Sequence, residues 1–159
     1  MNKRSTLALI LATATMTLSQ GVGAAGPDAK LWNGTWHLNA AKSKFASPGK
    51  EASETRSYYF SGGKLTMKSS SKDPAGKEQQ FSYSAAFDGK FYPMTGNPNA
   101  DSISLQSISP REVKATSKLK GKPAVQSTAT VSADGKHLTL SRKMIGLKGA
   151  PTDVLEFDR

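Results

Sequence analysis

Arg142, Arg56 and Tyr58 are the side chains of this sequence best suited to chemistry. Arg142 shares strand parity with Leu138 and Leu140 in the run from His137 to Met144. Alternate side chains of an extended segment lie on one face, so if the two leucines face a core, Arg142 does too. A guanidinium held there could bind a carboxylate or phosphate through paired hydrogen bonds. The other place open to it is a strand end, in water. Arg56 and Tyr58 share a face with Phe60 and could line the same interior, although Tyr58-Tyr59-Phe60 does not fix which face turns inward.

Little else in the chain suggests catalysis. His37 and His137 stand alone, without a second ligand at metal-site spacing. There is no Gly-x-Ser-x-Gly elbow and no phosphate-binding loop, and Glu51 and Glu54 fall in a linker-like segment expected to be exposed. The absence of cysteine removes thiolate nucleophiles, disulfides and Cys metal sites. The sequence therefore reads as a non-enzyme with no metal and no cofactor.

The elements that must position these residues are strands. Trp32-Asn33-Gly34-Thr35-Trp36-His37-Leu38-Asn39 opens the folded part, with Trp36 and Leu38 on one face of a first strand. Asn39 to Phe45 reads either as a short helical turn capped by Asn39 or as an irregular crossing. Strands are then predicted over Glu54–Phe60, Lys64–Ser70, Gln79–Phe87, Lys90–Met94, Ser102–Ile108, Glu112–Lys120, Val125–Val131, His137–Met144 and Thr152–Phe157. Turn chemistry separates them: Ser47-Pro48-Gly49, Ser61-Gly62-Gly63, Asp88-Gly89, Ser109-Pro110-Arg111, Gly121-Lys122 and Ala133-Asp134-Gly135. Pro93 lacks a ladder donor and is expected at an edge or strand end. Sequential hairpins favour an up-and-down meander, and closing it removes exposed edges. The expected fold is all-β, an antiparallel up-and-down barrel of about 8–10 strands. Leu65, Met67, Phe81, Tyr83, Phe87, Ile103 and Leu105 are its expected interior, and Ala85, Ala115, Ser117, Ser127 and Ala129 are small enough to leave a cavity.

The N-terminus reads as an export signal. Lys3 and Arg4 precede an apolar run from Leu7 to Leu18, and Val22-Gly23-Ala24 offers small residues for cleavage after Ala24. The run is shorter than the ~20 residues a membrane span needs. The expected organisation is residues 1–24 as signal peptide and 25–159 as one barrel domain, periplasmic or secreted. The formal charge of +10 falls to +8 on losing Lys3 and Arg4. A basic balance favours anionic neighbours or simply a solvated basic exterior.

Gly34-Thr35-Trp36-His37-Leu38-Asn39-Ala40-Ala41-Lys42-Ser43-Lys44-Phe45, the run from Asp88 to Leu105, and Ala133-Asp134-Gly135-Lys136-His137-Leu138-Thr139-Leu140 together resemble small exported bacterial lipocalin-like proteins. The resemblance spans about Leu31 to Asp158, and through it the wider calycins, the lipocalins and fatty-acid-binding proteins. It implies a barrel with an interior pocket for a small apolar ligand, with Trp36 closing the base. It also implies a second partner for Arg142, since lipocalins stack an arginine on that tryptophan. Fatty-acid-binding proteins carry an Arg-x-Tyr pair on the last strand, where this chain reads Leu155-Glu156-Phe157.

Three readings follow. The first is a carrier of a small hydrophobic or amphipathic molecule, its pocket lined by Arg142, Arg56, Tyr58, Met67, Phe81, Tyr83, Leu105, Leu138 and Leu140. The second is a binding module for an anionic envelope surface or polymer through Lys114, Lys118, Lys120 and Lys122 on the exterior. Nucleic acid is disfavoured, because no aromatic residues interleave with those lysines. The third is a ligand-free structural barrel.

Overall fold

The computed structural model describes residues 26–46, 52–145 and 149–159. The signal peptide read in residues 1–24 and the turn at Ser47-Pro48-Gly49 lie outside the described residues. A four-residue helix, α1 (Ala29–Trp32), leads into ten strands: β1 (Gly34–Leu38), β2 (Ser53–Ser61), β3 (Lys64–Lys72), β4 (Glu78–Ala86), β5 (Tyr92–Thr95), β6 (Ser102–Ser109), β7 (Glu112–Leu119), β8 (Lys122–Val131), β9 (His137–Met144) and β10 (Thr152–Asp158). Every strand pairs antiparallel with its sequence neighbours, and β1 pairs with β10 to close the ring. The expected meander is therefore the observed fold.

Local chemistry explains the hairpins. Lys120 and Gly121 both have positive φ (51° and 76°), the two-residue turn whose twist matches the flanking strands. Asp88, Asp134 and Asp73 each accept a backbone N–H two or four residues on, from Lys90, Lys136 and Lys77. Asn39 caps the turn after β1, accepting from the Lys42 amide at 3.2 Å, so this segment is a turn and not a helix. Pro93 sits inside β5 and not at its end, opposite Ser102. It is tolerated because β5 is only four residues long and makes two residue pairs with each neighbour.

One end of the barrel is sealed. Trp32 donates its indole N–H to the Pro110 carbonyl at 3.0 Å, and Trp36 donates to the Trp32 carbonyl at 3.1 Å. Trp36 is fully buried at this end, and its cationic partner is Arg159, whose guanidinium lies 4.4 Å from the indole centre and bonds to the Asn33 carbonyl. Arg142 is not that partner, because β9 carries it to the opposite end. α1, which sequence patterning did not reveal, forms because Asp28 caps it by accepting from the Lys30 amide, and Trp32 anchors it. Leu138, Leu155, Phe157 and Val131 fill the layer above the plug.

Gly96 and Gly76 share a φ of 82°, but a Cβ on Gly96 would collide with the Gln80 carbonyl, whereas one on Gly76 would meet nothing. Gly76→Ala should cost about 1–2 kcal/mol from backbone conformation alone. Gly96→Ala should cost clearly more, since the carbonyl belongs to strand β4 and cannot retreat. Urea unfolding of both variants checks this; equal midpoints would contradict the clash.

Candidate functional site

The open end is where β1, β3, β5, β7 and β9 finish and their partners begin. A cavity of about 500 Å³ runs from there down to Trp32. Its size falls within the range of small-molecule sites. It exists because Ala115, Ser117, Ser127 and Ala129 on β7 and β8 present short side chains to it. Met67, Phe81, Leu105, Leu140 and the ring of Tyr83 form the apolar part of its wall. Leu138 does not line it: it points inward like Leu140 but one step closer to the plug, opposite Phe157 and Val131, in solid core.

β2 turns Glu54, Arg56 and Tyr58 inward and leaves Tyr59 exposed, which settles the face that the sequence left open. Arg56 is only 6% exposed. Its Nε donates to Glu54 Oε1 at 2.7 Å, and its guanidinium lies 5.2 Å from the centre of the Phe157 ring and 5.9 Å from that of Phe81. Burial works against its charge, but Glu54 and the neighbouring Tyr58 more than offset that, and its pKa is raised. Ser69 donates to the same Glu54 oxygen at 2.6 Å, while Glu54 Oε2 is buried without a hydrogen-bond partner among the described residues. Burial pushes the Glu54 carboxyl up, but Arg56, Ser69 and the more distant Arg142 together hold it below its ordinary value.

Arg142 also faces the cavity. Its Nε donates to Asp153 Oδ2 at 2.8 Å, and Asp153 Oδ1 accepts from the Ala46 amide at 2.7 Å. Two arginines thus enter one cavity, each held by an acid. Glu54 is buried and not exposed, because β2 begins at Ser53 and turns it inward; Asp153 was not singled out from the sequence, and the signal for both was available in parity, Glu54 with Arg56 on β2 and Asp153 directly opposite Arg142 in the β9–β10 register. Tyr83 completes the polar group. Burial and the nearby Tyr58 raise its phenol, so it stays protonated and can donate. The arrangement can bind the charged end of a small molecule while apolar side chains cover the rest.

The lysine series is less continuous than strand alternation suggests. A bulge at Ser117/Lys118 breaks the register, and Lys118 lies over the Phe91 ring at 3.7 Å. Lys120 sits in the hairpin turn. Lys114 stands apart on the side wall, opposite Gln106 and Thr128. His137 pairs with Asp158 at 2.7 Å and His37 lies near Thr55, both on the exposed exterior.

Fold and cavity together define a closed, ten-stranded antiparallel barrel with an internal chamber. No protein-family model matches the chain, and no curated protein sequence does. Among solved structures it is similar to zebrafish ileal bile acid-binding protein in complex with cholic acid, at 14% identity and a TM-score of 0.53. The match covers 81% of this chain and 98% of that one, and the likeness is one of fold.

Arg56→Met should destabilise the protein by about 3–5 kcal/mol, because it strands a buried carboxylate. Replacing both partners, as Glu54→Leu with Arg56→Met, should recover most of that loss. pH supplies a second measurement. Glu54 has a folded pKa below the ordinary 4.5, so its contribution is present above that value and is lost as pH falls through the folded pKa. Acid titration of stability should show this slope in the wild type and lose it in Glu54→Gln.

Proposed function

We propose that this protein is a non-catalytic carrier that holds a small amphipathic molecule in its barrel. The observation that carries the reading is the cavity itself, a chamber of about 500 Å³ with both apolar and polar walls and two acid-held guanidinium groups among its lining. The apolar part of the ligand packs against Met67, Phe81, Leu105 and Leu140. Its polar head, a carboxylate or sulfonate, meets Arg142 near the mouth, with Arg56, Tyr58 and Tyr83 deeper in. Each arginine is charge-balanced by its own acid, so the site recognises the head by directed hydrogen bonds more than by net charge. The bile acid named in the zebrafish structure is an amphipathic anion of this kind. Residues 1–24, read as a cleaved signal, would deliver the carrier to the periplasm or the medium.

The test is displacement of an anionic naphthalene-sulfonate fluorophore by cholate and by a long-chain carboxylate. Wild type should enhance the emission and release the probe to both competitors. Leu105→Trp, which fills the chamber, should abolish uptake. Arg142→Met should weaken the long-chain carboxylate about tenfold or more while leaving the corresponding alcohol nearly unchanged, since hydrogen bonds to charged groups contribute ~1.5–3 kcal/mol. A wild-type barrel that takes up none of these, or a Leu105→Trp variant that binds as well, would sink the carrier reading.

A further inference from the structure

We infer that the protein docks mouth-first on an anionic lipid bilayer through the tip of the β7–β8 hairpin and the adjoining end of β9. The large apolar side chains exposed among the described residues are unevenly placed. Leu119, Met144 and Ile145 gather at the open end, whereas Tyr59, Phe91 and Ile108 lie singly elsewhere. Leu119 is the last residue of β7, facing Lys122 across the turn. Met144 pairs with Val125, and the Ile145 amide donates to the Ala124 carbonyl at 2.8 Å. Leu119 at the end of β7 and Met144 with Ile145 at the end of β9 therefore flank β8, two strand spacings or about 10 Å apart across the sheet.

Lysines surround them. Lys120 and Lys122 sit on the hairpin tip, Lys143 precedes Met144, and Lys77 stands on the β3–β4 turn; all four are exposed. Of the acids at this end, Glu78 is paired with Lys72 at 2.9 Å and Asp153 with Arg142, which leaves Asp101 and Asp73. Both are turned to backbone, Asp101 accepting from the Lys120 amide at 2.6 Å and Asp73 from the Lys77 amide at 2.9 Å. They offset part of the positive charge and leave an excess at this rim. The opposite end is more evenly balanced: Asp88, Asp134 and Asp158 lie there beside Lys90, Lys136 and Arg159.

Large apolar side chains at a hairpin tip and strand end, with lysines beside them, match the boundary between anionic headgroups and acyl chains. A protein partner would instead need a broad complementary area, and this tip is narrow. Docking does not depend on the carrier reading, but the two meet. Lys143 and Met144 belong to both the apolar rim and the cavity wall, so a docked barrel opens onto the bilayer. An amphipathic ligand could then pass between membrane and cavity without crossing bulk water.

The chain has no cysteine, so single introduced cysteines report position cleanly. Leu119→Cys at the rim and Ile108→Cys toward the sealed end are each labelled with a polarity-sensitive fluorophore. Each is mixed with phosphatidylglycerol–phosphatidylcholine vesicles or with phosphatidylcholine alone. The rim label should shift to the blue with anionic vesicles only, and lose that shift in high salt, while the label at 108 stays unchanged. Adding Lys120→Asn and Lys122→Gln should weaken the partitioning of the rim-labelled protein roughly 25-fold, about fivefold per lysine; Asn suits the positive φ at 120. No shift at the rim, equal shifts at both labels, or a shift indifferent to lipid charge would overturn the proposal. Ligand uptake is not part of the readout, so a failed carrier reading leaves this test intact.

Discussion

Ring closure is the constraint on which the rest of the barrel depends. An open ten-strand sheet would expose two ladders of unpaired N–H and C=O groups. Closure falls to β1, the five-residue strand that must satisfy both β2 and β10. It makes only two residue pairs with β10, His37 with Asp158 and Leu38 with Phe157. The seam continues through the following segment. The Asn39 amide donates to the Glu156 carbonyl, Ser43 Oγ accepts from the Glu156 amide, and Lys44 and Val154 exchange both backbone hydrogen bonds. A chain that leaves its strand thus keeps the sheet closed. The turn capped by Asn39 is the device that returns it to β10.

Closure of the wall leaves two ends to be treated differently. At one end the chain folds over itself: α1 drives Trp32 under the barrel, Trp36 stands on it, and Arg159 from the C-terminus covers Trp36. Both termini of the described fold are spent on that seal. At the other end no comparable plug is built from the described residues, and small side chains on β7 and β8 thin the interior. The cavity follows from that asymmetry. A core that is dense near Leu138 and Phe157 loosens toward Ser117 and Ser127, and the polar groups Arg142 and Asp153 are found where it loosens.

Strand positions were legible because turn chemistry and period-two patterning agree along most of the chain. Asp88-Gly89, Gly62-Gly63 and Gly121 mark hairpins that the structure forms, and the interior set from Leu65 to Leu105 faces inward. Parity failed where a residue count is not enough. Arg142 and Leu138 share a face, yet one enters the cavity and the other fills core, because the cavity ends partway along β9. The lysine series on β7 looked continuous because a bulge at Ser117/Lys118 cannot be seen in residue types. Arg159 escaped notice because its role depends on bringing the last residue back over the first strand, a contact across 126 positions from Asn33.

The acids beside the two arginines were invisible for a related reason, and they change what the cavity means. A lone guanidinium in an apolar chamber would be an electrostatic trap for an anion, but costly to the fold. Glu54 and Asp153 remove most of that cost and fix the guanidinium planes through their Nε atoms. What remains is a directional donor array with little net charge of its own. Such an array discriminates by where a ligand places its acceptors, and the apolar wall by how long a body follows them. The exposed lysines stand instead on the outside, Lys120, Lys122 and Lys143 among them at the rim of the mouth. On the carrier and docking proposals, interior and exterior divide the work: the cavity would select by shape and hydrogen bonding, while the lysines would set which surface the mouth approaches.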